Sequence, residues 1–387
     1  MFTQAYVHTA IELLETYKAT EPFSSFIKKY FSLHKKFGSR DRKHIAHLCY
    51  CFFRLGKSLK NVSIHERLGI ALFLCNEKPH DVLEYLNPEL NAQATLSIVE
   101  KIQTVKEQYN FKEEEIFSLK DHASTEIDYQ AFSLSFLVQP NTFLRIRPGN
   151  TKAVVKKLEE AKIDFHLLDD NIVVLPPSTK ADTILLLNKE VVVQDVSSQK
   201  VLQPLMDNVK GKILKQAWDC CAASGGKSIL LKDHFPNIAL TVSDVRESIL
   251  INLCKRFKDA GINECKSFMA DLSSPSFKIA NNFDIVICDA PCSGSGTWGR
   301  TPEQLYFFDE KKIDYYASLQ KKILANAVKG LKPDGFLLYI TCSVFKKENE
   351  EVVDFIQQQL SLHLVSQSYF KGYHQKGDTL FSALFTL

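Results

Sequence analysis

Two cysteines in the carboxyl-terminal half of the chain lie in motifs that could support covalent chemistry. Cys292 belongs to the run DAPCSGSG at 289–296 and Cys342 to the tripeptide TCS at 341–343, and an apolar, strand-like segment precedes each. A thiolate that adds to carbon 6 of a pyrimidine makes carbon 5 nucleophilic enough to be alkylated. A nearby lysine such as Lys227 is expected to favour the thiolate by lowering its pKa.

The run DCCAASGGK at 219–227 has the features of a nucleotide-binding loop. It follows a strand-like segment, opens a helix, and consists of small residues that let backbone amides approach a ligand. Its end imitates a phosphate-binding P-loop. That motif, however, needs a glycine five residues before Gly226, where this chain has Cys221. The loop therefore argues against an NTPase.

Acidic residues end the strand-like segments that follow this loop. Asp244 lies about 20 residues beyond it, where a carboxylate can accept hydrogen bonds from ribose hydroxyls. Asp271 ends the next segment beside Phe268 and Met269, which suits the edge of an adenine ring, and Asp289 ends the one after that. The set predicts a cofactor that carries adenosine without a polyphosphate, and we expect S-adenosylmethionine.

The elements that must position these residues divide the chain into three predicted domains. Residues 1–128 show apolar residues at helical spacing, which predicts an all-α domain. Residues 129–190 predict a small α/β module, in which the apolar runs 132–138, 143–146, 171–175 and 183–187 are interpreted as strands around one helix at 150–161. Strands and helices alternate over 191–387, which predicts a Rossmann-like parallel sheet covered on both faces. Ligands of such sheets bind at the carboxyl ends of the strands, where all of these motifs fall.

Composition places the chain among ordinary globular proteins. Of 387 residues, 45% are hydrophobic and 24% charged, which excludes collagen-like and mainly disordered chains. The amino terminus lacks the pattern of a secretory signal and no apolar run is long enough for a membrane helix, so a cytoplasmic location is expected. The ten cysteines are then expected to be free thiols, with Cys220, Cys221 and Cys288 as loop or core residues. No metal site, membrane association or obligate protein partner is predicted.

Charge is unevenly distributed although the net charge is only +3. Residues 28–60 hold ten basic side chains against one acidic residue, Asp41. Such a basic block could bind nucleic-acid phosphates, or it could be the solvated face of a helix.

The motifs together resemble those of the Sun/Fmu (RsmB-type) family of RNA cytosine carbon-5 methyltransferases. The resemblance rests on DAPCSGSGTW, TCS, CAASGGK and the upstream run FLRIRPGN, and it spans residues 130–387. Residues 1–128, with FGSRDRKHIAHLCYCFFRLG, resemble more loosely the NusB-like RNA-binding domain of the family's ribosomal-RNA members. The resemblance implies RNA as the substrate, with 16S ribosomal RNA favoured over transfer RNA.

The resemblance also implies a role for individual residues. Cys342 would be the nucleophile, Cys292 would help to break the covalent adduct, and Asp289 would hold the base. DNA cytosine methyltransferases use the Pro-Cys thiol as nucleophile instead, so the order of the two cysteines rests on the family. The implied cofactor-binding positions are Cys221, Ala222, Ala223, Ser224, Gly225, Gly226, Lys227, Asp244, Asp271 and Asp289.

Two positions depart from the family pattern. Ser224 stands where the family loop usually has proline, and Gly299 stands where members often carry a basic residue. Two alternatives outside this reading are methylation of a protein or small molecule and a non-catalytic RNA-binding assembly factor. Methylation of a protein or small molecule would not explain the basic block or the paired thiols. A non-catalytic assembly factor would not explain the cofactor acids or the two cysteines.

Overall fold

The computed structural model describes residues 2–177, 179–209, 211–280 and 282–387, which form two compact units. The first unit comprises the chain up to residue 121 together with 128–139 and 298–309, and the second comprises 122–127, 140–297 and 310–387. Within the described ranges, no helix combines the length and apolar character needed to cross a membrane. The predicted class, a Rossmann-like α/β protein with a helical amino-terminal region, is confirmed.

The first unit is built from helices. Their bounds are Phe2–Thr16, Phe23–Leu33, Ser39–Arg54, Ile64–Cys75, Asp81–Leu86, Pro88–Ala92, Ile98–Tyr109, Tyr129–Ser135 and Glu303–Phe307. Serine side chains cap two of them by accepting hydrogen bonds from backbone amides, Ser63 from Glu66 and Ser97 from Glu100. The core of this unit includes an aromatic cluster, in which the ring of Phe23 lies about 5 Å from those of Tyr17 and Phe53.

Two expectations for this unit are corrected. The run 132–138, interpreted as a strand, lies mostly in the helix Tyr129–Ser135, because Asp128 accepts a hydrogen bond from the amide of Ala131 and so starts a helix. Arg54, counted in the basic block, is buried. Its guanidinium donates to the backbone carbonyls of Phe136 and Val138 at 2.8 and 3.2 Å, so it supports the core.

The second unit begins with a small antiparallel sheet of order β2-β3-β1-β4. Its strands are β1 Thr142–Ile146, β2 His166–Asp169, β3 Ile172–Leu175 and β4 Val191–Val193. The helix Thr151–Glu160 packs on it through Val154 and Leu158. The run 183–187 is not one of these strands, since a short 3₁₀ turn at Ala181–Thr183 starts it and irregular backbone follows.

A seven-stranded sheet of order β10-β11-β9-β8-β5-β6-β7 dominates the second unit. Its strands are β5 Gln216–Asp219, β6 Ala239–Asp244, β7 Cys265–Met269, β8 Phe283–Asp289, β9 Leu331–Thr341, β10 His363–Lys371 and β11 Thr379–Thr386. Helices Gly226–His234 and Glu247–Asp259 pack on one face, and helices Lys311–Ala327 and Glu350–Gln359 on the other. The remaining helices of the unit are Val196–Lys200 and Gln203–Asn208.

The sheet is not wholly parallel, which corrects the sequence prediction. Strands β5 to β9 are parallel, but β11 lies antiparallel between β9 and β10. Only residues 372–378 connect β10 to β11, whereas a parallel crossover needs a dozen or more. The short connection therefore forces the last strand to reverse direction.

Candidate active site

The carboxyl ends of five parallel strands form one edge of the large sheet. Strands β5, β6 and β8 end at Asp219, Asp244 and Asp289, and β9 ends at Thr341, one residue before Cys342. The central strands β8 and β5 are neighbours, and β9 and β6 flank them. This topology gathers motifs that are more than 120 residues apart in the chain.

The loop after β5 turns sharply into the helix Gly226–His234. Gly225 has a φ of +79°, and a side-chain Cβ at that position would lie 2.7 Å from the ring of Phe257, so only glycine fits. The amide of Ala223 donates to Asp244 Oδ2 at 3.1 Å. The loop is thereby fixed to the ends of both β5 and β6.

A cavity of about 460 Å³ opens at this edge. Its wall is formed by Cys220, Cys221, Ala223, Asp244, Val245, Arg246, Ala270, Asp271, Leu272, Ser273, Asp289, Pro291, Leu319 and Ile323. Five of these were predicted to bind the cofactor: Cys221, Ala223, Asp244, Asp271 and Asp289. The other predicted cofactor residues are not part of this wall: Ala222, Ser224 and Gly225 lie in the loop, and Gly226 and Lys227 in the first turn of the helix that follows.

The apolar part of the wall differs from the prediction. Phe268 stacks against Trp218 in the core, and Met269 is 64% exposed, and neither lines this cavity. Both residues belong to the edge strand β7. The apolar side chains of the cavity wall include instead Leu272, in the loop after β7, and Ile323, in the helix Lys311–Ala327. Sequence proximity to Asp271 was therefore a misleading guide.

The cavity carboxylates are held by hydrogen bonds. Asp244 Oδ1 accepts from the amide and Nε of Arg246, both at 3.0 Å, and these bonds outweigh burial, so the pKa of Asp244 is lowered. Asp271 Oδ1 accepts from the amide and hydroxyl of Ser273 at 2.9 and 2.6 Å, which lowers its pKa also. Both side chains are therefore anions at neutral pH.

The two thiols of the chemistry motifs lie against each other. Cys292 Sγ and Cys342 Sγ are 3.2 Å apart, and both residues are partly exposed. Their loops are joined by backbone hydrogen bonds, from Ala290 to the carbonyl of Ile340 and from Gly296 to the carbonyl of Cys342. One reactive group could thus contact both sulfur atoms in turn.

Lys227 pairs with Asp289 rather than with a thiol. Its Nζ lies 2.6 Å from Asp289 Oδ2, and this attraction outweighs burial, so the pKa of Lys227 is raised. The expected lowering of a thiol pKa is wrong for Cys292. The hydrogen bond with Cys342, burial and the nearby charge of Glu348 all raise the pKa of Cys292.

A buried carboxylate that the sequence analysis missed joins the two thiol loops. Glu348 Oε2 accepts from the amide of Ser293 at 2.9 Å and from the side chain of Gln320 at 3.0 Å. Its Oε1 accepts from the hydroxyl of Ser343 at 2.8 Å. Glu348 therefore bonds to the residue that follows each cysteine. The cluster ENEE at 348–351 was visible in the sequence, but resembled an ordinary acidic helix start.

The run FLRIRPGN also has a structural role that its sequence did not reveal. Arg145 Nη1 and Arg147 Nη2 lie 2.5 and 2.7 Å from the two carboxylate oxygens of Asp233. Asp233 belongs to the helix that follows the glycine loop. The paired arginines therefore attach the small sheet to the carboxyl-terminal end of this helix.

Residues 201–380 match the sequence profile of the family described as 16S rRNA methyltransferase RsmB/F. This segment, rather less than half of the chain, is similar to the RsmB/F family. Ribosomal RNA small subunit methyltransferase B of Shewanella oneidensis is 33% identical over 202 residues, 51% of this chain and 45% of that protein. The 28S rRNA (cytosine-C(5))-methyltransferase of Mus musculus is 32% identical over 171 residues, 43% of this chain and 21% of that protein. The chain thus spans less than half the length of either relative.

Solved structures share the fold of the RsmB/F segment and of the residues before it. The protein PH0851 superposes with a TM-score of 0.69 at 19% identity and covers 98% of both chains. NSun6 from Pyrococcus horikoshii, solved with SFG, gives a TM-score of 0.56 at 13% identity and covers 71% of this chain and 97% of its own. At these identities the likeness shows a shared fold.

Ser224, which stands where the family loop usually has proline, is held by hydrogen bonds from the neighbouring helix Glu247–Asp259. Arg256 Nη1 donates to the carbonyl and the hydroxyl of Ser224 at 2.9 and 3.1 Å. Proline has no hydroxyl group and could not accept the second of these hydrogen bonds. In this chain the hydrogen bonds from Arg256 restrain the turn, whereas the ring of a proline at this position would restrain it directly. The other departure, Gly299, lies in the first unit, just before the short helix Glu303–Phe307.

Proposed function

We propose that the protein is an S-adenosylmethionine-dependent RNA methyltransferase that forms 5-methylcytosine. The observation that carries the proposal is the contact between the Cys292 and Cys342 sulfur atoms at the strand edge that also holds the cavity. Pairs of thiols suit a reaction in which one sulfur binds the base and a second group is needed to release it. The similarity of residues 201–380 to the RsmB/F family supports the same chemistry.

The cavity suits S-adenosylmethionine by size and charge. Asp244, Asp271 and Asp289 contribute three carboxylates against the single guanidinium of Arg246, which favours a sulfonium cation and disfavours a polyphosphate. Leu272 and its apolar neighbours suit an adenine ring. The bound cofactor supplies an electrophilic methyl group. The relative solved with SFG, an analogue of S-adenosylmethionine, supports this assignment.

In the proposed mechanism Cys342 is the nucleophile. Its sulfur forms a bond to carbon 6 of cytosine, and the electron pair of the 5,6 double bond becomes available at carbon 5 for methylation. Before the attack Cys292 keeps its own proton, because its pKa is raised, and this favours Cys342 as the attacking group. Once Cys342 is bonded to carbon 6, Cys292 releases its proton to solvent and accepts the carbon 5 proton, and the double bond is restored as the sulfur to carbon 6 bond breaks.

Asp289 is proposed to hold the base. Its Oδ2 is paired with Lys227, which leaves Oδ1 for the amino group or protonated ring nitrogen of cytosine. Lys227 fixes the position of the carboxylate. The target nucleotide must turn out of its stack to reach this position, as it does in other enzymes that act on a base.

The proposed substrate is ribosomal RNA, as in the two named relatives, with transfer RNA as the alternative. Seven basic side chains of the block 28–60 are exposed on the first unit and could bind RNA phosphates without reading sequence: Lys28, Lys29, Lys35, Lys36, Arg40, Lys43 and Lys60. We propose that residues 1–128 act as the RNA-binding domain, the small module 129–190 as a connector and 191–387 as the catalytic domain.

The test uses the full chain with methyl-labelled S-adenosylmethionine and separate pools of ribosomal and transfer RNA. Label in 5-methylcytosine of ribosomal RNA is expected, and bisulfite sequencing then identifies the nucleotide. Label in transfer RNA alone would keep the reaction but replace the substrate. Binding of S-adenosylmethionine without transfer to any RNA would favour a non-catalytic assembly factor.

A further inference from the structure

Three further thiols form a cluster whose sulfur atoms take no part in the covalent steps proposed above, although Cys220 and Cys221 line the cofactor cavity. The Sγ atoms of Cys220, Cys221 and Cys288 all lie within 4.8 Å of one another. Cys220 and Cys221 follow β5, and Cys288 lies near the end of the neighbouring strand β8. The amide of Cys220 donates to the carbonyl of Ile287 at 2.9 Å, which sets the two segments side by side.

Spacing of this kind matches a set of metal ligands. A tetrahedral d¹⁰ cation with metal–sulfur bonds of about 2.3 Å places its sulfur atoms roughly 3.8 Å apart. Side-chain rotations that move the three sulfur atoms by about 1 Å would bring them from within 4.8 Å of one another to that spacing. Thiolates select soft cations such as Zn²⁺, Cd²⁺ and Cu⁺ over Mg²⁺ and Ca²⁺.

The cluster also has an entry path and an open side. Cys220 and Cys221 both line the 460 Å³ cavity, whereas Cys288 is fully buried behind them. A cation can reach the cluster from the cavity, and water from the cavity can supply the fourth ligand of the tetrahedron. The site differs from the reactive pair, because Cys292 and Cys342 belong to the loops after β8 and β9.

We infer that Cys220, Cys221 and Cys288 form a binding site for one thiophilic d¹⁰ cation at the inner wall of the cavity. Binding replaces three S–H bonds by three metal–sulfur bonds and releases three protons to the buffer. The site ties β5 to β8 where the glycine loop and the DAPC run begin. It was not predicted from the sequence, because Cys288 lies 67 residues after Cys221 and no short motif links them.

The test is a Cd²⁺ titration of the full chain carrying Cys292→Ser and Cys342→Ser, followed by the ultraviolet cadmium–thiolate band. One Cd²⁺ per chain is expected. Adding Cys288→Ala or Cys220→Ala should weaken binding at least tenfold, whereas Cys254→Ala, outside the cluster, should leave affinity unchanged. Equal affinity with and without the Cys288 thiol, or no band, would overturn the inference.

X-ray absorption of the zinc-loaded double-serine protein gives an independent measure. Three sulfur neighbours at about 2.3 Å and one lighter neighbour are expected. One or no sulfur neighbour would contradict the site. If the serine background fails to fold, the unaltered chain serves instead, and Cys288→Ala must then remove one Cd²⁺ from its stoichiometry. Neither readout depends on methyl transfer, so failure of the proposed function would leave this test intact.

Discussion

Asp219 offers a test of how the buried strand edge is stabilised. The residue ends β5 with only 1% of its surface exposed. Ser228 donates to its Oδ2 at 2.6 Å, and no partner among the described residues bonds to its Oδ1. Burial is the main cause that raises the pKa of Asp219 from 3.8 to about 7. Below about pH 7 the folded chain therefore holds Asp219 mainly as the neutral acid.

The difference between the pKa of Asp219 in the folded and the unfolded chain sets the sign and size of its effect on the free energy of unfolding. Because the folded pKa is raised, the stabilising contribution is fully present below about pH 4 and is lost as the pH rises through about 7. The total loss is about 4 kcal/mol, and about 3 kcal/mol of it falls between pH 5 and pH 8. The asparagine of Asp219→Asn does not titrate. The free energy of unfolding of this variant should therefore not show the decline between pH 5 and pH 8 that Asp219 causes in the parent.

The assay is urea unfolding at several pH values between 5 and 8, followed by tryptophan fluorescence. The chain has two tryptophans, so a Trp298→Phe background leaves the buried Trp218 as reporter of the second unit. Asp284→Asn is the matched control. The pKa of Asp284 is lowered, so it stays ionised throughout this range and the decline should persist. An equal decline in Asp219→Asn and the parent would refute the reasoning.

Three other predictions concern the supports of the site and of the helical unit. Glu348→Gln should lower the pKa of Cys292 by removing a nearby charge, so alkylation of that thiol should begin at lower pH; an unchanged profile would count against the electrostatic role. Arg54→Leu should destabilise the first unit by about 2–5 kcal/mol in urea, because two buried carbonyls lose their donor; a loss below about 0.5 kcal/mol would contradict this. Gly296→Ala should destabilise the second unit by at least 1–3 kcal/mol, because its Cβ would lie 2.0 Å from the Thr379 carbonyl oxygen, and wild-type stability would disprove the close contact.

Much of the fold could be predicted from local sequence patterns. Apolar runs identified β5, β6, β8 and β9, and the alternation with helices identified the layered architecture. The run TLFSALF was predicted as a strand, but the reversed direction of β11 was missed, because pairing direction depends on the length of the connection rather than on the apolar pattern of the strand. The run 132–138 was misassigned because the cap at Asp128 decided its conformation.

The site was predictable where a motif ends a strand and obscure where distant residues meet. Cys292, Cys342 and the acids at the strand ends were found because parallel strands share one edge. Glu348, the thiol partners of Cys288, and the arginine pair on Asp233 were not found. Their significance depends on contacts across 50 or more residues, which no local pattern contains.

The most direct test of the account is to trap the covalent step. The full chain carrying Cys292→Ala and, separately, Cys342→Ala would be incubated with S-adenosylmethionine and ribosomal RNA and run on denaturing gels. Cys292→Ala is expected to accumulate a covalent complex of protein and RNA, because the attacking sulfur remains and release is impaired, and Cys342→Ala is expected to form none. A complex with Cys342→Ala but not with Cys292→Ala would reverse the roles, and a complex with neither would contradict this assignment of attack and release.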